Sequence, residues 1–155
     1  MTVKRKYKVA CFGGTFDIPT HKGHEALIKK AFEVAYFCHI GLCTDFYIEC
    51  KAKENVNKYG KREKNLEKYL SSKKISKKRY NITELENFYG PEAISKDVEA
   101  IIVSKKTIPG ARGINEIRLC EGLKPLDIIE IDMVLGKDNE PISSTKIREM
   151  KMDKE

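Results

Sequence analysis

The chain has 155 residues, enough for one domain with a substantial core and too few for two ordinary ones. Apolar residues make up 41% of it, and no apolar run approaches the roughly 18–20 residues that cross a bilayer, which sets aside disorder and a helical membrane span. A net charge of +7 beside 23 acidic residues fits a nucleic-acid surface, a lysine-rich solvated surface, or a cleft for small, highly phosphorylated ligands.

The opening MTVKRKYKVACF is basic and then apolar, like a signal peptide, but its apolar run is only about five residues before GGTFD. The expected location is therefore cytoplasmic, with no membrane partner. KYKVACF (6–12) reads as a first strand broken by Gly13 and Gly14. From Gly23 to Phe37, Ala26, Leu27, Ala31, Val34 and Ala35 recur at helical spacing. HIGLCT (39–44) reads as a second, buried strand, and a polar segment over 49–58 leads to a helix at about 60–72. RYNITEL (79–85) alternates as a strand does, and VEAIIV (98–103) forms another that ends at Ser104. Ile114, Ile117 and Leu123 point to a further helix, IIEIDMV (128–134) to a last strand, and ISSTKIREM to a final helix.

Strands alternating with helices imply a parallel sheet with right-handed crossovers. The expectation is a single α/β domain over residues 1–155, doubly wound, with ligands beyond the carboxyl ends of its strands. The GGTFDIPTHKGH loop, the Cys43–Tyr47 region, Ser104 and the ISST turn all fall there. Five cysteines with no CxxC pair argue against a disulfide framework or a zinc knuckle. Cys38, His39, Cys43 and Cys50 are close enough in sequence to suggest a metal, yet a buried strand uses thiols as small hydrophobes. The basic stretch from Lys51 to Lys78 has few aromatics for base stacking, so nucleic acid is not an expected partner.

Two constellations carry chemistry. In FGGTFDIPTHKGH, Gly13 and Gly14 allow close backbone approach to a ligand, and Thr15 offers a hydroxyl and an amide. His21 and His24 flank Gly23 at a helix start, where unsatisfied amides and a partial positive charge favour an anion. Two readings of the histidines stay open: phosphate donors, or a helix-entry pair satisfied by backbone carbonyls. In PISSTKIR (141–148), Ser143 or Ser144 makes a good helix cap, and Arg148 shares a helix face with Ser144. A phosphate at that start would meet hydroxyls, amides and a guanidinium together. Two anion-ready helix starts in one small domain describe a polyphosphate clamp.

GTFDIPTHKGH resembles the signature of the nucleotidyltransferases with the HxGH motif, and ISSTKIR resembles their second signature. GLCTDF, KREKNLEKYL, VSKKTIPGARGINEIRLCEGLKPL and IIEIDMVLGKDNEPISSTKIR are similar to the archaeal-type phosphopantetheine adenylyltransferases, so the resemblance runs from about residue 8 to 150. It implies a Rossmann-like fold and transfer of the adenylyl group of ATP to 4′-phosphopantetheine, giving dephospho-coenzyme A and pyrophosphate with magnesium. It implies ATP contacts from Gly14, Thr15, Phe16, His21, His24, Ser104, Thr107, Ile142, Ser143, Ser144, Thr145 and Arg148. Thr15 would also meet the acceptor phosphate, as would Lys51 or Lys53, and catalysis would rest on His24, His21, Lys51 and Arg148. No metal ligand of the chain itself is implied. Relatives of this kind also use nicotinamide mononucleotide, glycerol 3-phosphate or flavin mononucleotide as acceptor. The glycerol 3-phosphate type carries an RTEGIST run where this chain has KDNEPISST, and the nicotinamide type commonly runs well beyond the second motif. One departure stands out: Ile18, Pro19 and Thr20 separate Asp17 from His21 where the family usually has two residues, so the loop gains a bulge. A lysine-rich nucleic-acid module and a catalytically silent ligand sensor are the readings from other classes; a monomer or small homo-oligomer is expected.

Overall fold

The computed structural model describes residues 5–17, 22–50, 56–87, 93 and 95–131. In chain order these give β1 (Tyr7–Gly14), α1 (Lys22–Val34), β2 (Ala35–Cys43), α2 (Asp45–Cys50), α3 (Tyr59–Ser72), β3 (Tyr80–Leu85), β4 (Ala100–Val103), α4 (Ile108–Cys120) and β5 (Asp127–Glu130). All pairings are parallel, in the order β3-β2-β1-β4-β5. The chain steps outward from β1 through β2 and β3, then returns to place β4 and β5 on the other side. Strand order therefore reverses between β1 and β4, the point at which such sheets open a crevice for ligands.

Side-chain alternation divides the strands between two cores. Ala10, Phe12, Cys38, Ile40, Leu42, Ala100 and Ile102 pack on Leu27, Ile28, Ala31 and Phe32 of α1 and on Leu66, Tyr69 and Leu70 of α3. Cys11, Ile101 and Val103 turn to the opposite face, against Ala111 and Ile114 of α4 and against Ala93, Val98 and Leu126. Helices on both faces make the sheet doubly wound, as the α/β reading requires.

Several boundaries differ from the sequence expectation. Gly13 and Gly14 do not break the first strand; they close β1, paired with Gly41 and Leu42 of β2. The expected helix to Phe37 ends at Val34, and β2 begins at Ala35 with no residue between. Without a glycine, proline or polar break, helical and strand spacing merge across that junction. A short helix, α2, too brief for periodicity to reveal, takes in the first two residues of the polar segment assigned to 49–58. Leu123 lies outside α4: Gly122, at φ 75, ends the helix in a Schellman turn, with Gly122 N–H donating to Leu119 O and Leu123 N–H to Arg118 O. The expected strand at 98–103 is narrowed to Ala100–Val103, although the Glu99 amide already donates to Val9 O. β5 covers Asp127–Glu130; residues 132–134 of the expected last strand and the whole of the expected final helix lie outside the described residues.

Cys38 and Cys43 are five positions apart on β2 and so face opposite sides of the sheet, which separates the thiols that suggested a metal. Burial pushes the Cys38 thiol up to about 12, and its sulfur donates to Ala31 O. The folded state holds that proton up to about 12 and an unfolded chain releases it near 9.0, so this contribution to stability is complete below pH 9 and is lost as pH rises toward 12. Cys11, Cys38 and Cys43 are buried while Cys50 and Cys120 are exposed. In native buffer, Ellman's reagent is expected to titrate those two exposed thiols rapidly and the other three only after denaturant is added. Fast reaction of a third thiol would contradict this packing.

Candidate active site

Past Gly14 the chain leaves the sheet through Thr15, Phe16 and Asp17, all three buried. Phe16 adopts φ 49, a left-handed conformation that a bulky residue takes only when its surroundings impose it. Its ring is wholly enclosed, edge-on to Phe12 at 5.9 Å, and Gly14 lies beneath it. α1 begins at Lys22, which puts His24 in the first helical turn, half-buried, with its ring centre 4.9 Å from that of Phe16. Four residues expected in the site, Gly14, Thr15, Phe16 and His24, are thus brought together where β1 meets the N-terminus of α1. The amides of that first turn and the helix dipole give the place a positive potential.

A buried polar network backs this loop. Arg62 of α3 is fully enclosed: Nη1 donates to Thr15 O at 3.0 Å, Nε to Asn57 O at 2.8 Å, and Nη2 to Asp45 Oδ1 at 3.0 Å. Asp45 Oδ1 also accepts from the Tyr59 amide, and Asp17 Oδ1 accepts from the Asn57 amide at 3.1 Å. The guanidinium lies over the Tyr59 ring, whose hydroxyl is pushed up to about 12 by burial first and then by Glu63 and Glu84. Sequence reading missed Arg62. The available signal was a charged residue at i−4 from Leu66, on the apolar stripe that Tyr69 and Leu70 continue.

On the α4 face of the sheet, a cleft of about 110 Å³ opens at the carboxyl ends of β1 to β4. Its floor is the pair Gly13 and Gly41, opposite each other in register, and its walls include Cys43, Tyr47, Thr83, Leu85 and Val103. His39 lines the inner end and shares a 2.8 Å hydrogen bond between Nδ1 and Asn81 Oδ1. Thr107 reaches the cleft wall, but its hydroxyl accepts from the Ser104 amide and donates to Ser104 O, which closes the turn after β4. Ser104 is the first residue of that turn and half-buried. His21, Lys51, Lys53, Ile142, Ser143, Ser144, Thr145 and Arg148 lie outside the described residues. Among the described residues no three His, Cys, Asp or Glu side chains gather to hold a metal ion, and no helix is long and apolar enough to cross a membrane.

Residues 11–150 match the family model described as cytidylyltransferase-like. The chain belongs to the cytidylyltransferase-like family. Among curated relatives, the phosphopantetheine adenylyltransferase of Methanothermobacter thermautotrophicus is 43% identical over 97% of this chain and 89% of its own length. That of Pyrococcus furiosus is 41% identical over 94% and 90%. Of solved structures, a protein of unknown function from Archaeoglobus fulgidus superposes with a TM-score of 0.70 at 27% identity, over 88% of this chain and 99% of that one. A bifunctional NMN adenylyltransferase/ADP ribose pyrophosphatase from Francisella tularensis gives 0.64 at 18% identity, over 96% of this chain and 43% of that one, a likeness of fold alone. The doubly wound parallel sheet is thus the Rossmann-like fold of a cytidylyltransferase-like protein.

Proposed function

We propose that this protein transfers the adenylyl group of ATP to 4′-phosphopantetheine, releasing pyrophosphate and forming dephospho-coenzyme A. The observation that carries this reading is its 43% identity to a phosphopantetheine adenylyltransferase along nearly the whole chain, supported by the gathering of Phe16 and His24 at the N-terminus of α1. A phosphate monoester has a second pKa of about 6, so the acceptor is already an anion at neutral pH. Its oxygen attacks the α-phosphorus directly; the new P–O bond forms as the bond to the bridging oxygen breaks, and pyrophosphate carries away the electron pair. No general base is needed, and the chain's task is to align two anions and stabilise charge on the leaving group.

In this reading Gly14, Thr15 and Phe16 hold the reacting phosphates, and His24 donates to the charge that develops on them. His21, Ile142, Ser143, Ser144, Thr145 and Arg148 complete the ATP site, with Ser104 and Thr107 toward the base. Lys51, with Lys53 as the alternative, follows α2 and meets the acceptor phosphate. The cleft over Gly13 and Gly41, mostly apolar with a few polar groups, takes the uncharged arm of the acceptor. Magnesium enters as part of the substrate, bound to ATP, where phosphate oxygens and water supply its hard ligands and its charge offsets that of the triphosphate. We place the reaction in the cytoplasm, on a monomer or small homo-oligomer.

The test is pyrophosphate release with ATP or CTP against a panel of acceptors: 4′-phosphopantetheine, nicotinamide mononucleotide, glycerol 3-phosphate and flavin mononucleotide. Turnover is expected with ATP and 4′-phosphopantetheine. Turnover with another acceptor and none with 4′-phosphopantetheine would overturn the acceptor, and no turnover with any would favour a silent ligand sensor.

A further inference from the structure

Arg62 and Arg118 are the largest fully buried side chains among the described residues, and the bonds of Arg62 run to segments at the carboxyl edge of the sheet. Thr15 follows β1, Asp45 opens α2, and Asn57 precedes α3. The Arg62–Asp45 ion pair is only half enclosed, because the Asp45 side chain is 39% exposed, and such a pair adds little stability of its own. The choice of acceptors is more telling. The Thr15 carbonyl belongs to the same peptide unit as the Phe16 N–H. That unit is planar, so a carbonyl gripped by Arg62 fixes the whole peptide and the start of Phe16, whose enclosed ring lies 4.9 Å from that of His24. Phe16 is the residue held at φ 49, a backbone state that needs an external restraint. Asp17 is fixed from the same side through the Asn57 amide.

We propose that Arg62 is a positioning residue for adenylyl transfer: it fixes the Thr15–Phe16 peptide, and through the enclosed Phe16 ring it holds His24 toward the reacting phosphates. This rests on the adenylyl-transfer reading above. Arg62 touches no substrate. It acts through the loop, by removing the freedom of one peptide plane before the ligands arrive. A planar fork serves here because three acceptors in three directions must be held at once, which a lysine ammonium on a flexible stem cannot do with fixed geometry.

The experiment compares Arg62→Lys with Arg79→Lys. Arg79 donates likewise to carbonyls, those of Phe32, Ala35 and Tyr36, but at the opposite end of β2. Arg62→Lys is expected to lower kcat by roughly 10–100-fold, the scale of a loop misplaced by about an ångström, with KM for ATP changed by less than about threefold. Arg79→Lys is expected to lower the melting temperature while kcat stays within about twofold of wild type. The Phe16 amide should exchange its hydrogen faster in Arg62→Lys and not in Arg79→Lys, a readout that needs no substrate. Millimolar guanidinium is expected to restore part of the turnover of Arg62→Gly. A folded Arg62→Lys with normal kcat, an equal loss in Arg79→Lys, or an unmoved Phe16 amide would overturn the proposal. If Arg62→Lys does not fold, Asp45→Asn weakens the same anchor at a more exposed residue, and a normal kcat there overturns it too. The wild-type panel is run first; should another acceptor prove to be the substrate, the comparison uses that acceptor, so the two readings fail separately.

Discussion

Replacing His24 with alanine is expected to lower kcat by about 10²–10³-fold, the usual loss when one preorganised donor to developing charge is removed. The fold should survive. His24 is half-buried, in the first turn of α1, and its packing includes a tilted contact with the Phe16 ring. Losing such an aromatic contact costs on the order of 0.5–1.5 kcal/mol, a small part of the stability of a domain this size. The effect belongs in kcat and kcat/KM together, because a donor to the leaving pyrophosphate acts in the transition state more than in the ground state. Steady-state kinetics beside thermal melts of the ligand-free protein make the check. If the melting temperature falls while turnover stays near normal, the imidazole is a helix-entry packing residue and the donor role passes elsewhere in the loop.

How much of this was legible beforehand depended on which force set each feature. Apolar strands in turn with amphipathic helices declared the doubly wound sheet, because burial on both faces gives a strand a continuous apolar run and burial on one gives a helix its period. The signature loop drew notice because glycine, hydroxyl and imidazole types cluster there, and the structure brings Gly14, Thr15, Phe16 and His24 of it together. Boundaries were not. The α1–β2 junction has no breaker, so Val34 and Ala35 read equally well as helix or strand. Gly13 and Gly14 looked like a stop because glycine usually ends strands, yet here the pairing of β1 with β2 carries on through them. Arg62 was illegible for a different reason. A lysine-rich helix offers many charges, and only tertiary structure tells that this one is wholly enclosed and bonded to Thr15, Asn57 and Asp45.

The glycine floor of the cleft leads to the other large expected effect. Gly13 and Gly41 stand side by side, and Leu85 of β3 lies across both. A Cβ at residue 41 would come within 3.2 Å of Leu85 Cδ1, the far end of a flexible side chain that can swing aside. A Cβ at residue 13 would come within 3.1 Å of the Gly41 carbonyl oxygen, which is fixed in the sheet. The two glycines should therefore fail differently. Gly41→Val suits a strand and leaves the fold standing, but valine and the displaced Leu85 fill space that the acceptor arm needs. Its kcat/KM for 4′-phosphopantetheine is expected to fall roughly 10–200-fold, the range for a pocket altered by a methylene or so, while KM for ATP holds. Gly13→Ala should instead lower the melting temperature, since backbone rather than a side-chain tip must yield. Adding Leu85→Ala to Gly41→Val reopens the volume and should recover part of the acceptor kinetics, whereas the same addition cannot relieve Gly13→Ala of its contact with the carbonyl. Saturation kinetics for each substrate, read beside the melts, separate the outcomes. A Gly41→Val protein that binds 4′-phosphopantetheine normally would move the acceptor arm out of this cleft and leave the glycine pair as a matter of sheet packing alone.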